Sequence, residues 1–168
     1  MDFDNELESL LMQKRNVELS IEKLFAEKYN REIRFSSKKL VADLGEYYFY
    51  KAASVFVELK QGVTNNCDCD FTGKLFPEYQ EKFNLNLDVV RVEVKTRHAQ
   101  VGNNHLFGIK PQKFDLLAFV ALSDYLKCRH IGLIKSSDIK VDNQSRIKYS
   151  DYYRNGLVIW KSNDWEEI

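Results

Sequence analysis

Leu87-Asp88-Val89-Val90-Arg91-Val92-Glu93-Val94-Lys95-Thr96 is the stretch on which the fold turns. Side chains alternate sides along an extended chain, so Val90, Val92 and Val94 share one face and Arg91, Glu93 and Lys95 the other. β-branched residues on one side and charges on the other describe a strand with one face in a core. Glu93 and Lys95 then point the same way, about 7 Å apart at a rise of ~3.3 Å per residue.

Downstream, Phe114 to Leu122 is almost wholly apolar, as expected of a central strand buried on both faces. Ile131–Ile134 and Leu157–Trp160 read as two further short strands, and Gln100–Asn104 as a loop. Upstream, Val55, Val57 and Leu59 alternate with Phe56 and Glu58, a strand that ends in the turn signals Gly62 and Asn65-Asn66. Cys67–Thr72 reads as a short strand. Gly73–Asn86 is polar, contains Pro77, and reads as a hairpin connection or excursion. Leu40, Val41, Leu44, Tyr47, Tyr48 and Ala52 recur at helical spacing after the capping candidates Ser36 and Ser37. Residues 1–32 are rich in Glu, Lys and Leu, and predict one long helix or two joined near Asn16. That segment carries eight acidic against five basic residues, which suits a solvated amphipathic helix, with a dimerisation helix as the second reading. The expected architecture is α/β: a central mixed β-sheet flanked by helices, with residues 1–35 a helical segment packed on or extending a single domain of residues 36–168.

The totals narrow the function classes. A chain of 168 residues with 44% hydrophobic residues suits one domain with one core. The formal net charge of +0 gives no general attraction to nucleic acid, so any such contact must come from a local patch. Three cysteines without a secretory context argue against a disulfide framework. With no basic, apolar leader and no run approaching the roughly 20 apolar residues of a membrane span, a cytoplasmic protein without membrane contact is expected. GxxxxGK[ST], GxGxxG and GxSxG segments are missing from the sequence, which removes the P-loop, dinucleotide and α/β-hydrolase readings. Cys67 and Cys69 with His98 and His105 lack zinc-site spacing and read as small residues beside a strand. Trp160 and Trp165 read as core or interface residues.

Three segments carry candidate chemistry. Glu93-x-Lys95 places a carboxylate and an ammonium on one strand face. Asp68 and Asp70 fall in a strand-like segment where Asp is disfavoured. Glu46 lies in the helix Leu44-Gly45-Glu46-Tyr47-Tyr48. Each alone fits a bland account: a solvated strand face, a turn, an exposed helix charge. Together they follow the order helix Glu, strand Asp, strand Glu-x-Lys, and then a buried strand.

In this order, Leu44-Gly45-Glu46-Tyr47-Tyr48, Asn66-Cys67-Asp68-Cys69-Asp70-Phe71 and Val92-Glu93-Val94-Lys95-Thr96-Arg97 resemble the PD-(D/E)XK nuclease superfamily, in particular its restriction-endonuclease-like and resolvase-like branches. Lys113-Phe114-Asp115-Leu116-Leu117-Ala118-Phe119-Val120 is similar to the Lys-x-Asp-apolar strand that follows the active site there. The resemblance covers roughly residues 37 to 135. It implies a restriction-endonuclease-like core and a Mg²⁺-dependent endonuclease, with Mn²⁺ as substitute, that hydrolyses DNA phosphodiesters. Asp70, Glu93, the backbone carbonyl of Val94 and Glu46 would hold the metal, and Lys95 would position the attacking water. Asp68 is the alternative to Asp70. The long gap between Asp70 and Glu93 would require an enlarged hairpin. Five basic residues and the single acid Glu93 between Arg91 and Lys113 put Arg97, His98, Lys110 and Lys113 forward as DNA contacts. A homodimer would allow both strands of a duplex to be cut. The rivals are a catalytically inactive nuclease-fold subunit that binds DNA or assembles with partners, and a structural α/β protein whose charged trio is coincidental.

Overall fold

The computed structural model describes residues 3–30, 38–54, 56–60, 69–98, 105–148 and 156–163. Ser36, Ser37, Val55, Gly62, Asn65, Asn66, Cys67, Asp68, the loop Gln100–Asn104 and Trp165 lie outside the described residues.

The fold is mixed α/β, with a six-stranded sheet in the order β1-β2-β3-β5-β6-β8. Its strands are β1 (Val57–Lys60), β2 (Phe71–Leu75), β3 (Val90–His98), β5 (Leu116–Leu122), β6 (Cys128–Lys135) and β8 (Leu157–Lys161). Neighbours run antiparallel except β3 and β5, which are parallel and pair from Val92↔Leu116 to His98↔Leu122. A separate two-stranded ribbon joins β4 (His105–Leu106) to β7 (Ile147–Lys148).

The sequence pattern explains the sheet. Val90, Val92 and Val94 of β3 are buried while Arg91 is exposed and Glu93 and Lys95 are half-buried, as alternation requires. All seven residues of β5 are buried, as a central strand covered on both faces demands. One face packs Leu116, Ala118 and Val120 with Tyr48 and Phe49 of α2 (Lys38–Ala53). The other packs Leu117, Phe119 and Ala121 with Leu106, Ile109, Phe114 and Ile147, so the ribbon and the chain before β5 cover it.

α2 lies close on the sheet because Gly45 faces Thr96. A Cβ on Gly45 would sit 1.7 Å from Thr96 Oγ1 and 2.8 Å from its Cβ. Glycine is therefore a packing requirement here.

The segment read as an excursion is ordered. β2 leads directly into α3 (Pro77–Phe83), with Pro77 in the first turn and Asn84 closing the helix in the left-handed region at φ 47°. Proline fits a first helical turn because its missing N–H has no intrahelical partner there. Tyr79 and Phe83 pack against the first core cluster.

α1 (Asn5–Tyr29) is one continuous helix, without a break at Asn16. The Asp4 carboxylate caps it by accepting from Glu6 N at 3.0 Å and Leu7 N at 3.1 Å. Its first half is anchored. Phe3 sits edge-on to Tyr48 and Trp160, Leu11 is buried, and Glu8 pairs with Lys127 at 3.2 Å. Buried Arg15 pairs with Glu18 and Glu22 of its own helix. Cys128 is a buried free thiol.

Candidate active site

The site forms where β2 stops beside β3. Phe71, the first residue of β2, pairs with Val92, and Asp70 N donates to Val92 O at 3.1 Å. Alternate residues of a strand bond to opposite neighbours. Arg91 O accepts from Asp115 N on the β5 side, so Val92 and Val94 turn their backbone groups to the β2 side. At Val94 no β2 residue stands opposite, and its N–H donates at 2.6 Å to the Asp70 carboxylate instead. The Val94 carbonyl, in step with its own N–H, points to the same open edge.

The two faces of β3 contribute differently. Glu93 and Lys95 project from the face they share with Leu117 and Phe119, and Lys95 Nζ donates to Glu93 Oε1 at 2.5 Å. Both are partly buried, at 16% and 28% side-chain exposure, so their charges are only partly screened by water. Glu46 approaches from the opposite face on α2, one residue after Gly45, whose contact with Thr96 sets how near the helix can come. The candidate carboxylates therefore straddle one sheet edge: Asp70 near the plane of the sheet, Glu93 on one side and Glu46 on the other.

Electrostatics show that they share a field. Burial raises the Glu46 pKa above the ordinary carboxyl value, and Asp70, Asp43 and Glu93 raise it further against an opposing pull from Lys39. Burial raises Asp70 as well. Its bond from Val94 N–H and the Lys95 charge pull it down, while Glu93 pushes it up. Asp70 as a residue is exposed, yet its carboxylate is turned inward onto the strand. Carboxyls whose raised pKa comes from burial plus neighbouring anions are a frequent mark of functional sites.

These directions predict a stability effect with a definite sign. The folded state binds protons at Glu46 and Asp70 more readily than the unfolded chain does. Their ionised forms thus oppose folding at neutral pH, and the penalty is relieved as pH falls through the raised values towards the ordinary range. Glu46→Gln and Asp70→Asn should each raise the melting temperature at pH 7 and narrow the gap between pH 7 and pH 5. Thermal melts at the two pH values check this; a lower melting temperature at pH 7 in both variants contradicts it.

The expected DNA contacts separate. Arg97 is half-buried on β3 at the parity of Glu93 and Lys95. Lys110 is exposed, and half-buried Lys113 closes a short 3-10 turn, Pro111–Lys113. His98 does not belong with them. It is buried at 7% exposure, burial lowers its pKa, and a ring nitrogen lies 3.4 Å from Asp124 O. A ring so enclosed offers nothing to a phosphate backbone, and its expected role as a DNA contact is withdrawn.

Tyr50 is a neighbour of the site that the motifs did not single out. It follows Glu46 by one helical turn, stacks on Phe71 at 6.4 Å between ring centroids, and is 41% exposed. With Ser54, Glu58, Leu59 and Phe76 it lines a cleft of about 380 Å³. The i, i+4 spacing of Glu46 and Tyr50 was the available signal.

Among the described residues, no group of three or more His, Cys, Asp or Glu side chains stands gathered so as to hold a metal ion. The oxygens at the edge that could take a cation are those of two carboxylates, Asp70 and Glu93, with the Val94 carbonyl beside them. All three donors are oxygens, which suits a hard cation that retains several waters. Glu46 and Asp70, raised first by burial and further by nearby anions, also fit a place where a cation would relieve the charge. No helix among the described residues is long and apolar enough to cross a membrane.

No family model and no curated protein matches the sequence. Among solved structures the chain is similar to a bacterial homing endonuclease, I-Ssp6803I. The identity is 13%, over 79% of this chain and 84% of that one, with a TM-score of 0.39.

Proposed function

We propose that the chain is a metal-dependent endonuclease of PD-(D/E)XK type that hydrolyses DNA phosphodiesters, with Mg²⁺ as cofactor and Mn²⁺ as substitute. The observation that carries this reading is the meeting of Asp70 with Val94 N–H at 2.6 Å beside the Glu93–Lys95 pair, at the edge where β2 ends. A coincidental set of surface charges would have no reason to turn an aspartate inward onto a strand next to a second carboxylate.

Asp70, Glu93 and the Val94 carbonyl would hold the cation, and Glu46 would orient a water from the far side of the edge. The chemistry supplied by Mg²⁺ when bound is Lewis-acid polarisation of the scissile phosphate. Lys95 would donate to a phosphate oxygen or hold the attacking water. Arg97, in line with Lys95, and Lys110 and Lys113 would meet the DNA backbone.

Supercoiled plasmid incubated with the protein and Mg²⁺ should be nicked or linearised, and EDTA should stop the reaction. Independently of turnover, Mg²⁺ or Mn²⁺ should raise the melting temperature of the wild type in proportion to the logarithm of its concentration above Kd. The same cation should leave the Asp70→Ala and Glu93→Ala variants unmoved. A cation that stabilises wild type and both variants alike would show that it binds elsewhere. Stabilisation by the cation without cleavage of duplex, branched or single-stranded DNA would favour the inactive, DNA-binding subunit.

A further inference from the structure

α1 carries more apolar surface than the core covers. Leu10, Val17 and Leu24 stand at 55%, 60% and 50% exposure, spaced by seven residues. At 3.6 residues per turn such positions drift only about 20° per heptad and form one ridge. It runs about 21 Å at 1.5 Å per residue. Half-buried Ile21 lies on the same ridge, and Leu7 and Phe25 continue it towards the core face. The anchored residues Leu11 and Arg15 fall on an adjacent face of the helix, so the ridge is distinct from the packing that holds α1 to the domain.

A heptad-spaced apolar seam is the geometry by which one helix packs along another. The charges on the ridge select the partner and its direction. Exposed Glu6 precedes the seam and exposed Lys28 follows it, with Lys14 between. If two copies of α1 ran parallel, Glu6 would face Glu6, Lys14 would face Lys14 and Lys28 would face Lys28. If they run antiparallel about Val17, Leu10 faces Leu24 of the other copy and Ser20 faces Lys14. Glu6 then faces Lys28 at both ends. The ridge is self-complementary in the second arrangement alone, as an isologous two-fold contact requires.

We propose that α1 pairs with α1 of a second copy of this chain, antiparallel, with the two-fold axis passing near Val17. The pairing stands on the helix alone; only its use, bringing two catalytic edges to the two strands of one duplex, rests on the nuclease reading.

Sedimentation velocity of the full chain tests it, with crosslinking for direction. The wild type should be a dimer at micromolar concentration and Val17→Glu a monomer with an unchanged circular dichroism spectrum. Glu6→Lys should weaken the dimer about tenfold, and adding Lys28→Glu should restore it. Under oxidation Val17→Cys should crosslink to itself. Leu10→Cys should crosslink only when mixed with Leu24→Cys. A wild type that stays monomeric at 100-fold higher concentration overturns the pairing. So does a dimer indifferent to Val17→Glu, and so does efficient self-crosslinking of Leu10→Cys, which reports a parallel pair. A monomer that cleaves plasmid defeats the pairing and leaves the nuclease reading standing; a dimer of this geometry without cleavage does the reverse.

Discussion

Lys95→Ala is expected to lower plasmid cleavage by about 10²–10⁴-fold, the range for removing a positioned proton-transfer or charge-stabilising group. The fold should survive the change. Lys95 is 28% exposed and pairs with Glu93, two residues away on the same strand. Truncation removes a charge and leaves the core beneath β3 intact, because Val92 and Val94 on the other face supply the burial. Cation binding should also survive, since a positive neighbour opposes it, and the stabilisation by Mg²⁺ should match or exceed that of the wild type. Lys95→Arg keeps the charge in a different shape and should recover only part of the rate. Cleavage within threefold of wild type in Lys95→Ala would remove this residue from the mechanism.

Gly45→Ala should cost about 1–3 kcal/mol of stability, the usual penalty for forcing extra atoms into a close-packed contact. The added Cβ would meet Thr96 Oγ1 at 1.7 Å. Rotating the threonine does not clear it, because its Cβ stands at 2.8 Å and its Cγ2 at 3.0 Å. α2 must move off the sheet, and Glu46, the next residue, moves with it. Chemical denaturation should show the loss and cleavage should fall alongside it. Thr96→Gly in the same chain should return part of both. If Gly45→Ala unfolds at the wild-type denaturant concentration, the helix is not seated as tightly as described.

Much of this arrangement was written in residue order. The alternation of β3 gave the valines to the core and Arg91, Glu93 and Lys95 to the other face, and the apolar run of β5 marked the centre of the sheet. The same parity puts His98 on the valine face, and that outweighs its place among basic neighbours. The stretch from Gly73 to Asn86 does connect two antiparallel neighbours, as a hairpin connection should, but Pro77 opens a helix there, so α3 is what the polar composition hides. The meeting of Asp70 with Val94 depends on where β2 stops. That point is set by long-range pairing, which local pattern does not encode. Nor did the sequence say that Glu46 would face the others across an edge, since the seating of α2 depends on one contact between Gly45 and Thr96.

Asp115, just before β5, is bound into the start of β3. Its carboxylate accepts from Arg91 N at 2.8 Å and Arg91 Nε at 3.1 Å, and its other oxygen from Arg91 Nη2 at 2.9 Å. Burial opposes the charge on Asp115, yet the bonds from Arg91 hold its pKa below the ordinary value. The pair works as an index pin between two strands that no hairpin joins. Strand side chains have a period of two, so a slip of a single residue would turn Glu93 and Lys95 into the protein interior and bring Val94 to the outside. The setting of the candidate site is thus decided some distance from it, by a carboxylate that lies outside it.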